Sequence, residues 1–384
     1  MKILHNLQFI NELDAKLTAD NGLLQVLLGP RQVGKTTTIL DYLERNFSGT
    51  HHYVSADQEL HTGDAWIRQH WEHALHKDFL LVIDEIQKCE NWSETLKSLW
   101  DTAKKDKKRV RCILLGSSSL KIQKGLTESL TGRFQLTYAH HWNVKESQEG
   151  YGLDFETFLK FGGYPGSYRF LGAQDEWRAY VTLSIIATVI EKDILQFHTV
   201  RSPALFKQAY EIISAYPAME VSYNKLLGQI QSRGNVDLVK HYLELYQGAF
   251  LVRTLEKFSA STIRTKSSSP KIIPLAPCLF FVNHLGEYDL DERGHVFEAL
   301  VGAQLVRTGE SLYYWREGRL EVDFVVKRGR SIWAVEVKSG RRKRMDGLTA
   351  FKKQYPTAKS AIITPETYME FEADPIKFLT DRAI

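Results

Sequence analysis

Cysteine is scarce in this sequence of 384 residues, which contains only three. Cys89, Cys112 and Cys278 lie far apart, and their number is odd. This pattern excludes a disulfide framework and gives the cysteines no metal-ligand spacing. Cysteine usage of this kind is typical of a reducing compartment, so we expect a cytoplasmic protein.

Long hydrophobic runs are also missing. The longest, Tyr180–Ile190, has about half the length that a membrane-spanning helix needs, and it contains Thr182 and Ser184. His5 and Asn6 interrupt the apolar residues near the N-terminus, which argues against a signal peptide. We therefore expect residues 180–190 to form a buried helix, and we expect no membrane role.

Charge of one sign is not in large excess, since the net charge is +4. Apolar residues make up 43% and charged residues 25%, as in ordinary globular proteins, which excludes a disordered or fibrous chain. Basic residues nevertheless cluster within Lys104–Arg111 and again as Arg341, Arg342, Lys343 and Arg344. Each cluster is either solvated surface or a patch that contacts phosphate.

Apolar segments alternate with helical patterns in the first part of the chain. The segments are Leu23–Leu28, Phe79–Ile83 and Arg111–Leu115, and the main predicted helices are Lys35–Asn46 and Trp92–Lys104. This alternation predicts an α/β domain with a mainly parallel sheet over residues 1–145. In such a domain the functional residues lie at the carboxyl ends of the strands.

The first of these segments leads directly into a phosphate-loop motif. The motif is Gly29-Pro30-Arg31-Gln32-Val33-Gly34-Lys35-Thr36, followed by Thr37. Gly34 allows backbone N–H groups to turn toward a phosphate, and the helix that begins there adds the positive end of its dipole. We expect Lys35 to neutralise the β- and γ-phosphate oxygens and Thr36 to ligate Mg²⁺. The motif with Thr37 therefore predicts a site for ATP and magnesium.

The other two strands also end in candidate site residues. Asp84 is expected to hold Mg²⁺ with Thr36, and Glu85 is expected to orient or deprotonate the attacking water. An acidic pair in this place is otherwise a helix cap. Ser117 and Ser118 follow the third strand, where they either contact the γ-phosphate or the water, or cap the next helix.

Two arginines are candidates for a finger that contacts the γ-phosphate of the same subunit or of a neighbour. Arg133 lies one predicted helix beyond the serines, and Arg169 follows a glycine-rich turn at residues 162–166. For Arg133 a surface salt bridge is the alternative.

The chain becomes mainly helical after the first domain. Residues 146–200 are predicted to form a helical lid. Residues 201–270 show helix, turn, helix and strand, with Tyr223–Ile230 and Val236–Gln247 as the helices. This is the order of a winged helix-turn-helix, although a compact helical bundle gives a similar pattern. Ser259–Pro270 is the best linker candidate because it is rich in Ser, Thr and Lys.

Residues 271–384 are predicted to form a second α/β module that carries a β-hairpin. On the second strand of the hairpin, Glu336 and Lys338 are two residues apart and share a face, and Asp323 on the first strand can lie opposite them. Glu298, on a predicted helix, can converge on the same point.

Metal-dependent phosphodiester cleavage uses such a set of residues. Carboxylates hold a hard divalent ion that activates water, and a lysine positions the water or offsets developing charge. The sequence thus predicts a catalytic set of Asp323, Glu336 and Lys338, with Glu298, Asp323 and Glu336 as metal ligands. A salt-bridged strand face would give the same residue pattern.

Several of these motifs resemble a large prokaryotic family of AAA+-type ATPases. They are the phosphate loop at 29–36, Asp84-Glu85-Ile86-Gln87, Gly116-Ser117-Ser118-Ser119-Leu120, Glu128-Ser129-Leu130-Thr131-Gly132-Arg133, and Gly162-Gly163-Tyr164-Pro165. In that family the C-terminal half is related to PD-(D/E)XK nucleases, although here Glu321-Val322-Asp323 replaces the Pro-Asp of that motif. The resemblance implies an α/β protein with an AAA+-like P-loop core, helical lid, winged-helix-like middle region and PD-(D/E)XK-like domain. It also implies ATP hydrolysis and homo-oligomers such as rings.

Three functions are compatible with the sequence. The leading hypothesis is an ATP-driven machine that acts on nucleic acid, with DNA preferred over RNA, through a nuclease-like C-terminal domain. The alternative is a nucleotide-gated switch whose C-terminal domain binds a partner without cleaving it. A protein-remodelling ATPase, the third, needs an exposed pore-loop aromatic, for which Tyr53 and Trp66 are the candidates.

Overall fold

The computed structural model describes residues 7–58, 62–116, 119–198, 200, 202–230, 235–259, 268–284, 286–340 and 345–383. The chain divides into two compact units. The first unit comprises Met1–Trp142, Glu149–Tyr151 and Leu183–Thr199, and the second comprises Asn143–Gln148, Gly152–Thr182 and Val200–Ile384. The predicted boundary at residue 145 lies close to this division, whereas residues 183–199, predicted as part of a lid, belong to the first unit.

A five-stranded parallel sheet forms the centre of the first unit. Its strands are β1 (Leu24–Leu28), β2 (His51–Ser55), β3 (Leu80–Asp84), β4 (Cys112–Gly116) and β5 (Phe134–Tyr138), in the order β2-β3-β4-β1-β5. The three central strands, β1, β3 and β4, are buried along their whole length, as expected of apolar strands covered on both faces. The predicted α/β fold with a parallel sheet is confirmed.

Helices flank this sheet. They are α1 (Gln8–Ala19), α2 (Lys35–Arg45), α3 (Asp64–Lys77), α4 (Trp92–Lys105) and α5 (Ser119–Ser129), with a 3₁₀ turn at Ile86–Lys88. Because all five strands are parallel, their carboxyl ends meet at one edge, where Leu28 pairs with Gly116 and Ser55 pairs with Asp84. This edge carries the phosphate loop and the acidic pair.

Short helices follow the first sheet. They are α6 (Val144–Tyr151), α7 (Phe155–Phe161), a 3₁₀ helix (Pro165–Phe170) and α8 (Gln174–Ala179). Two π-helical segments, Tyr180–Ile186 and Val189–Leu195, come next. The predicted buried helix at 180–190 is therefore helical but wider than an α-helix, and one side of it is open, since Leu183 is 67% exposed.

The second unit is organised by a mixed sheet of seven strands. The strands are β6 (Met219–Glu220), β7 (Val252–Lys257), β8 (Lys271–Pro274), β9 (Ser311–Glu317), β10 (Leu320–Arg328), β11 (Ser331–Val337) and β12 (Lys359–Ile363), in the order β12-β11-β10-β9-β7-β8-β6. Its helices are α9 (Pro203–Ser214), α10 (Tyr223–Gln229), α11 (Val236–Gly248), α12 (Cys278–Phe281), α13 (Leu290–Arg307), α14 (Asp346–Gln354), α15 (Tyr368–Ala373) and α16 (Pro375–Asp381), with a 3₁₀ turn at Pro365–Thr367. A core that includes Phe297, Phe324 and Tyr368 lies between α13 and the sheet.

The predicted helix, turn, helix and strand of the middle region correspond to α10, α11 and β7. Strand β7 pairs in parallel with β9 through Glu256 and Tyr313, so the sheet continues across the predicted boundary at residue 270. Residues 260–267 of the predicted linker lie outside the described residues, as do residues 231–234 and the basic cluster at 341–344. Within the described part of the chain, no helix combines the length and apolar character that a membrane span requires.

Candidate functional site

The phosphate loop joins β1 to α2 and contains two glycine positions that no other residue would fill without strain. Gly34 has φ +90°, in the left-handed region, and caps α2. A Cβ atom on Gly29 would lie 2.0 Å from the carbonyl oxygen of Ala139. The first turn of α2 has backbone N–H groups without intrahelical partners, which makes this loop a site for an anion.

Lys35 is buried at the start of α2, beneath this loop. Its Nζ donates hydrogen bonds to the carbonyl oxygens of Gly29, at 2.9 Å, and of Pro30, at 2.7 Å. Burial lowers the pKa of Lys35 to about 8, although the nearby carboxylates of Glu85 and Asp84 oppose this shift. The ammonium is therefore fixed at the loop, with acidic groups beside it.

The Asp84 carboxylate lies at the end of β3 and accepts three hydrogen bonds. Oδ2 accepts from Thr36 Oγ1 at 2.7 Å and from the Tyr53 hydroxyl at 2.9 Å, and Oδ1 accepts from the backbone N–H of Glu85 at 2.8 Å. Asp84 is only 4% exposed. Thr36 and Asp84, predicted together as magnesium ligands, are thus in direct contact, and their hydroxyl and carboxylate oxygens suit that ion.

Tyr53 does not have the position of an exposed pore-loop aromatic, for which the sequence made it a candidate. An exposed pore-loop aromatic is excluded for it, because it lies in the middle of β2 with its hydroxyl on Asp84. Trp66, the other candidate, is buried in α3 and packs against His70. The pairing of β2 with β3 is what brings Tyr53 to the site, and neighbouring sequence gives no signal for that pairing.

Glu85 adopts a backbone conformation that is uncommon for a residue other than glycine, with φ +53°. Its Oε2 accepts a hydrogen bond from Nε2 of the buried Gln87, in the 3₁₀ turn that follows β3. Strained backbone of this kind concentrates at functional sites, where the surrounding structure holds it in place. The role of Glu85 as the residue that orients water stays a prediction.

The other residues predicted to bind nucleotide are distributed around the loop. Val33 is buried, and its carbonyl oxygen accepts a hydrogen bond from Trp142 Nε1 at 3.0 Å. Thr37 is exposed on α2. Arg31 forms an ion pair with Asp193, and Gln32 donates a hydrogen bond to the carbonyl oxygen of Ser184. Ser117 and Ser118 lie outside the described residues.

Arg133 cannot reach the nucleotide site of its own chain. It precedes β5 beside Leu24, at the amino end of β1, so roughly 16 Å of strand separates it from the phosphate loop. Its Nε donates to Asp101 Oδ1 at 2.8 Å, and its guanidinium lies over the Trp100 ring. A finger on the nucleotide of its own chain does not fit this position, whereas the alternative, a surface salt bridge, is present with Asp101. A finger on the nucleotide of a neighbouring copy stays a prediction. The second candidate, Arg169, belongs to the second unit, where it stacks on Phe170 and Tyr180.

The predicted C-terminal residues come together on β10 and β11. Phe324 pairs with Val335, which places Asp323 next to Glu336, and Asp323 Oδ2 accepts a hydrogen bond from Val337 N at 2.7 Å. Glu336 Oε1 accepts from Lys338 Nζ. The register of β10 shifts between Val322 and Val325, and a bulge of this kind re-aims a side chain.

Glu298 on α13 has a partner that the sequence did not reveal. Lys271 of β8 is buried, forms an ion pair with Glu298 and donates a hydrogen bond to the carbonyl oxygen of Asp323 at 3.1 Å. No group of three or more His, Cys, Asp or Glu side chains within the described residues is arranged to hold a metal ion. The structure therefore does not support Glu298 as a metal ligand, because a lysine ammonium already neutralises it.

The negative charges of Asp323, Glu336 and Glu298 repel one another. Burial, and then the charge of Asp323, raises the pKa of Glu336 to about 7 and that of Glu298 to about 8. Burial also raises the pKa of Asp323. Glu336 Oε2 is buried without a hydrogen-bond partner in the described part of the chain. A proton or a cation at Asp323 and Glu336 would relieve this repulsion.

Comparison with protein families assigns three regions of the chain. Residues 21–148 match the family described as AAA domain, and residues 152–279 and 293–379 match two families of unknown function, DUF8612 and DUF4143. The first match covers the sheet and the phosphate loop described above. The chain carries a P-loop ATPase domain of the AAA kind. A comparison with curated proteins gives no match.

Several solved structures are similar to this chain at low sequence identity. The Walker-type ATPase paby2304 of Pyrococcus abyssi is 14% identical with a TM-score of 0.50, over 72% of this chain and 95% of that chain. The RuvB Holliday junction branch migration motor of Thermotoga maritima is 16% identical with a TM-score of 0.31, over 63% and 88%. AMPPCP-bound DnaA from Aquifex aeolicus is 14% identical with a TM-score of 0.30, over 62% and 85%.

Proposed function

We propose that the first unit binds ATP with Mg²⁺ and hydrolyses it. The hydrogen bond from Thr36 Oγ1 to Asp84 Oδ2, at 2.7 Å, carries this proposal. It joins the end of the phosphate loop to the acidic end of a separate strand, and these are the two oxygen donors that a nucleotide-bound magnesium ion needs. The AAA-domain match over residues 21–148 supports the same conclusion.

In this proposal the phosphate loop binds the triphosphate. The backbone N–H groups of the loop at residues 29–36, except that of Pro30, which has none, would bind the β- and γ-phosphates, and the first turn of α2 would add its dipole. Lys35 exchanges its bonds to the carbonyl oxygens of Gly29 and Pro30 for bonds to phosphate oxygens. Thr37 borders the same anion site, and Ser117 and Ser118 remain proposed contacts to the γ-phosphate.

Thr36 and Asp84 are the residues that would hold magnesium. Bound there, Mg²⁺ would neutralise charge on the phosphate oxygens. The chain contributes the orientation of these ligands, because Tyr53 and the backbone N–H of Glu85 fix the Asp84 carboxylate from two further directions. Glu85, held by Gln87, orients the attacking water and accepts its proton.

The Glu85→Gln substitution tests hydrolysis separately from binding. Glutamine keeps the size of the side chain but cannot accept the proton, so we expect kcat to fall by about 10²- to 10⁴-fold while ATP affinity changes little. The matched control is Glu90→Gln, an exposed acid in the next loop. Turnover of Glu85→Gln equal to that of the unmodified protein would remove Glu85 from the mechanism.

Arg133 is proposed as a finger for the nucleotide of a neighbouring copy, since it lies at the opposite end of the strands from its own phosphate loop. In that case turnover per chain rises with protein concentration, and Arg133→Ala abolishes the rise. A rate per chain that stays constant across concentrations at which ultracentrifugation shows monomers assembling into oligomers would exclude this role.

A second candidate function is supported by the unpartnered oxygen of Glu336. We propose that Asp323 and Glu336, with Lys338 beside them, bind one divalent cation and act on nucleic acid, with DNA preferred over RNA. Two buried carboxylates that repel each other are a favourable site for such an ion. Nucleic-acid phosphates would be attracted by the basic residues of 104–111, so binding should weaken steeply with salt.

Substitutions in β10 and just after β11 distinguish this function from a non-cleaving interaction module. We expect Asp323→Asn and Lys338→Met to abolish metal-dependent degradation of DNA, whereas Glu321→Gln, an exposed acid on the same strand, should not. If the unmodified protein degrades no nucleic acid and its ATP turnover is insensitive to DNA and RNA, the nucleotide-gated switch is the correct function.

A further inference from the structure

The segment Leu183–Thr199 belongs to the first unit although it is far from the phosphate loop in sequence. Within it, Asp193 is 4% exposed and faces Arg31 of the loop. Arg31 Nε lies 2.7 Å from Asp193 Oδ2, and the terminal Nη2 lies 2.7 Å from Oδ1. Two parallel charge-assisted hydrogen bonds of this kind define the orientation of the guanidinium as well as its position.

A second contact ties the next residue of the loop to the same segment. Gln32 Nε2 donates a hydrogen bond to the carbonyl oxygen of Ser184 at 2.8 Å. The backbone of Gln32 has φ +60°, an uncommon conformation that persists only where surrounding contacts maintain it. Ser184 and Asp193 lie in the two π-helical segments, and π-helical turns occur frequently at functional sites.

The charge of Glu85, the proposed catalytic base, also acts on Arg31. Burial alone would lower the pKa of Arg31, but the hydrogen bonds and charge of Asp193, together with the charge of Glu85, raise it. The guanidinium is therefore within electrostatic reach of two carboxylates, and it is bonded to Asp193. An arginine keeps its charge at any ordinary pH, so it would seek another carboxylate if Asp193 lost its own charge.

We propose that Asp193 is a positioning residue of the nucleotide site, which holds Arg31 in the phosphate loop and keeps its guanidinium away from Glu85. Through this pair, ATP hydrolysis depends on how the segment 183–199 is seated against the loop. The inference rests on the proposed ATPase function and adds a residue that the phosphate-loop motif does not contain.

The Asp193→Asn substitution separates this role from ATP binding. Lys35, Thr36 and Asp84 are unchanged in this variant, so the Kd for a fluorescent ATP analogue should stay within about threefold. Arg31 would turn toward Glu85 and impair it, so kcat should fall by about 10- to 100-fold, a part of the roughly 10²- to 10⁴-fold that a general base contributes. Asp193→Glu, which retains the carboxylate, should recover part of the loss.

Glu370→Gln is the matched control. Glu370 pairs with Arg382 through the same two-bond geometry, in the second unit, and neither residue belongs to a proposed site. We expect its kcat to match that of the unmodified protein. A loss of kcat in Glu370→Gln equal to that in Asp193→Asn would show a general effect of breaking an arginine pair and would overturn the inference.

An Arg31→Met background keeps the test decisive if Asp193→Asn alone folds poorly. Methionine has no charge, so this background lacks the guanidinium that Asp193 positions. Because Arg31 and Asp193 are proposed to act as one unit, adding Asp193→Asn should then change kcat by less than about twofold. A further tenfold loss in this background would mean that Asp193 acts independently of Arg31, and it would overturn the inference.

The outcomes distinguish the inference from the function on which it rests. Normal kcat in Asp193→Asn, in a protein whose turnover requires Glu85, overturns the inference and leaves the ATPase intact. A loss that appears in Kd with kcat unchanged also overturns it, since Asp193 would then serve binding alone. No turnover in the unmodified protein overturns both proposals.

Discussion

The carboxylate of Asp84 is held from three directions, by Thr36, Tyr53 and the backbone of Glu85. At the scale of the residue, this is what distinguishes a preorganised metal ligand from an acid that merely follows a strand. A carboxylate fixed in this way would lose little freedom when the proposed ion binds, so Tyr53 and the backbone N–H of Glu85 would contribute to affinity without contacting the ion.

Tyr53→Phe tests this contribution. It removes one hydrogen bond to a charged acceptor and changes no proposed ligand, so we expect the Mg²⁺ concentration for half-maximal turnover to rise by about 3- to 10-fold. The measurement is a magnesium titration of ATP turnover at saturating ATP. Tyr42→Phe is the control, since its hydroxyl bonds to Asp14 in the same unit. An equal change in both variants would show that Tyr53 does not act on Asp84.

Local motifs are sufficient to predict the residues of the site that lie close together in sequence. Lys35 and Thr36 belong to a motif whose spacing predicts phosphate binding, and Asp84 follows an apolar run. Tyr53, Lys271 and Asp193 act through non-local contacts, and Asp193 is 162 residues from its partner Arg31. No periodicity or spacing in a single sequence encodes such contacts, because they depend on which strands and helices become neighbours.

At the scale of the element, the three central strands lie within one residue of the segments predicted for them. Apolar runs bounded by glycine, proline and charged residues define them clearly. The sequence predicts a helix at 180–190 but not its π geometry, because the same apolar residues suit both kinds of helix. The continuity of β7 with β9 is not predictable either, since strand pairing between distant segments leaves no local signal.

Strand β2 and helix α3 share a cluster of histidines, from which we predict that the first unit is sensitive to acid. His52 Nε2 lies 2.9 Å from His70 Nδ1, and the rings of His52 and His73 are 4.8 Å apart between centroids. Burial, and then the positive charge that His70 and His73 would carry, lowers the pKa of His52 below its usual 6.5. Protonation of His52 is therefore less favourable in the folded protein than in the unfolded chain.

This sign predicts that the first unit loses stability as pH falls below 6.5. The unfolded chain binds the proton first, so the loss continues until pH reaches the lower pKa of the folded state. As pH falls from about 7.5 to about 5.5, we expect the urea midpoint of the unmodified protein to decrease. The decrease should be smaller in His52→Phe, which keeps an aromatic ring but cannot be protonated. His51→Phe, at an exposed neighbour, should retain the full decrease. An unchanged pH dependence in His52→Phe would contradict the account of this cluster.

At the scale of the whole molecule, the division into two compact units predicts two unfolding transitions. The proposed nucleotide site lies in the first unit only. An ATP analogue with Mg²⁺, at one hundred times its Kd, should therefore stabilise only this unit. We expect calorimetry to show that the free energy of unfolding rises by about 2.7 kcal/mol for one transition and stays the same for the other. A single transition, or an equal shift of both, would contradict an independent nucleotide unit.

The central claim is that the loop at residues 29–36 binds a triphosphate and that Lys35 contacts its phosphate oxygens. Nucleotide titration of Lys35→Ala tests this claim most directly. Lys105→Ala, at an exposed lysine of α4, serves as the control. We predict that Lys35→Ala weakens ATP affinity at least about tenfold, the loss expected for one charge-assisted contact, and abolishes turnover, while the control does neither. Unchanged affinity and turnover in Lys35→Ala would contradict the account.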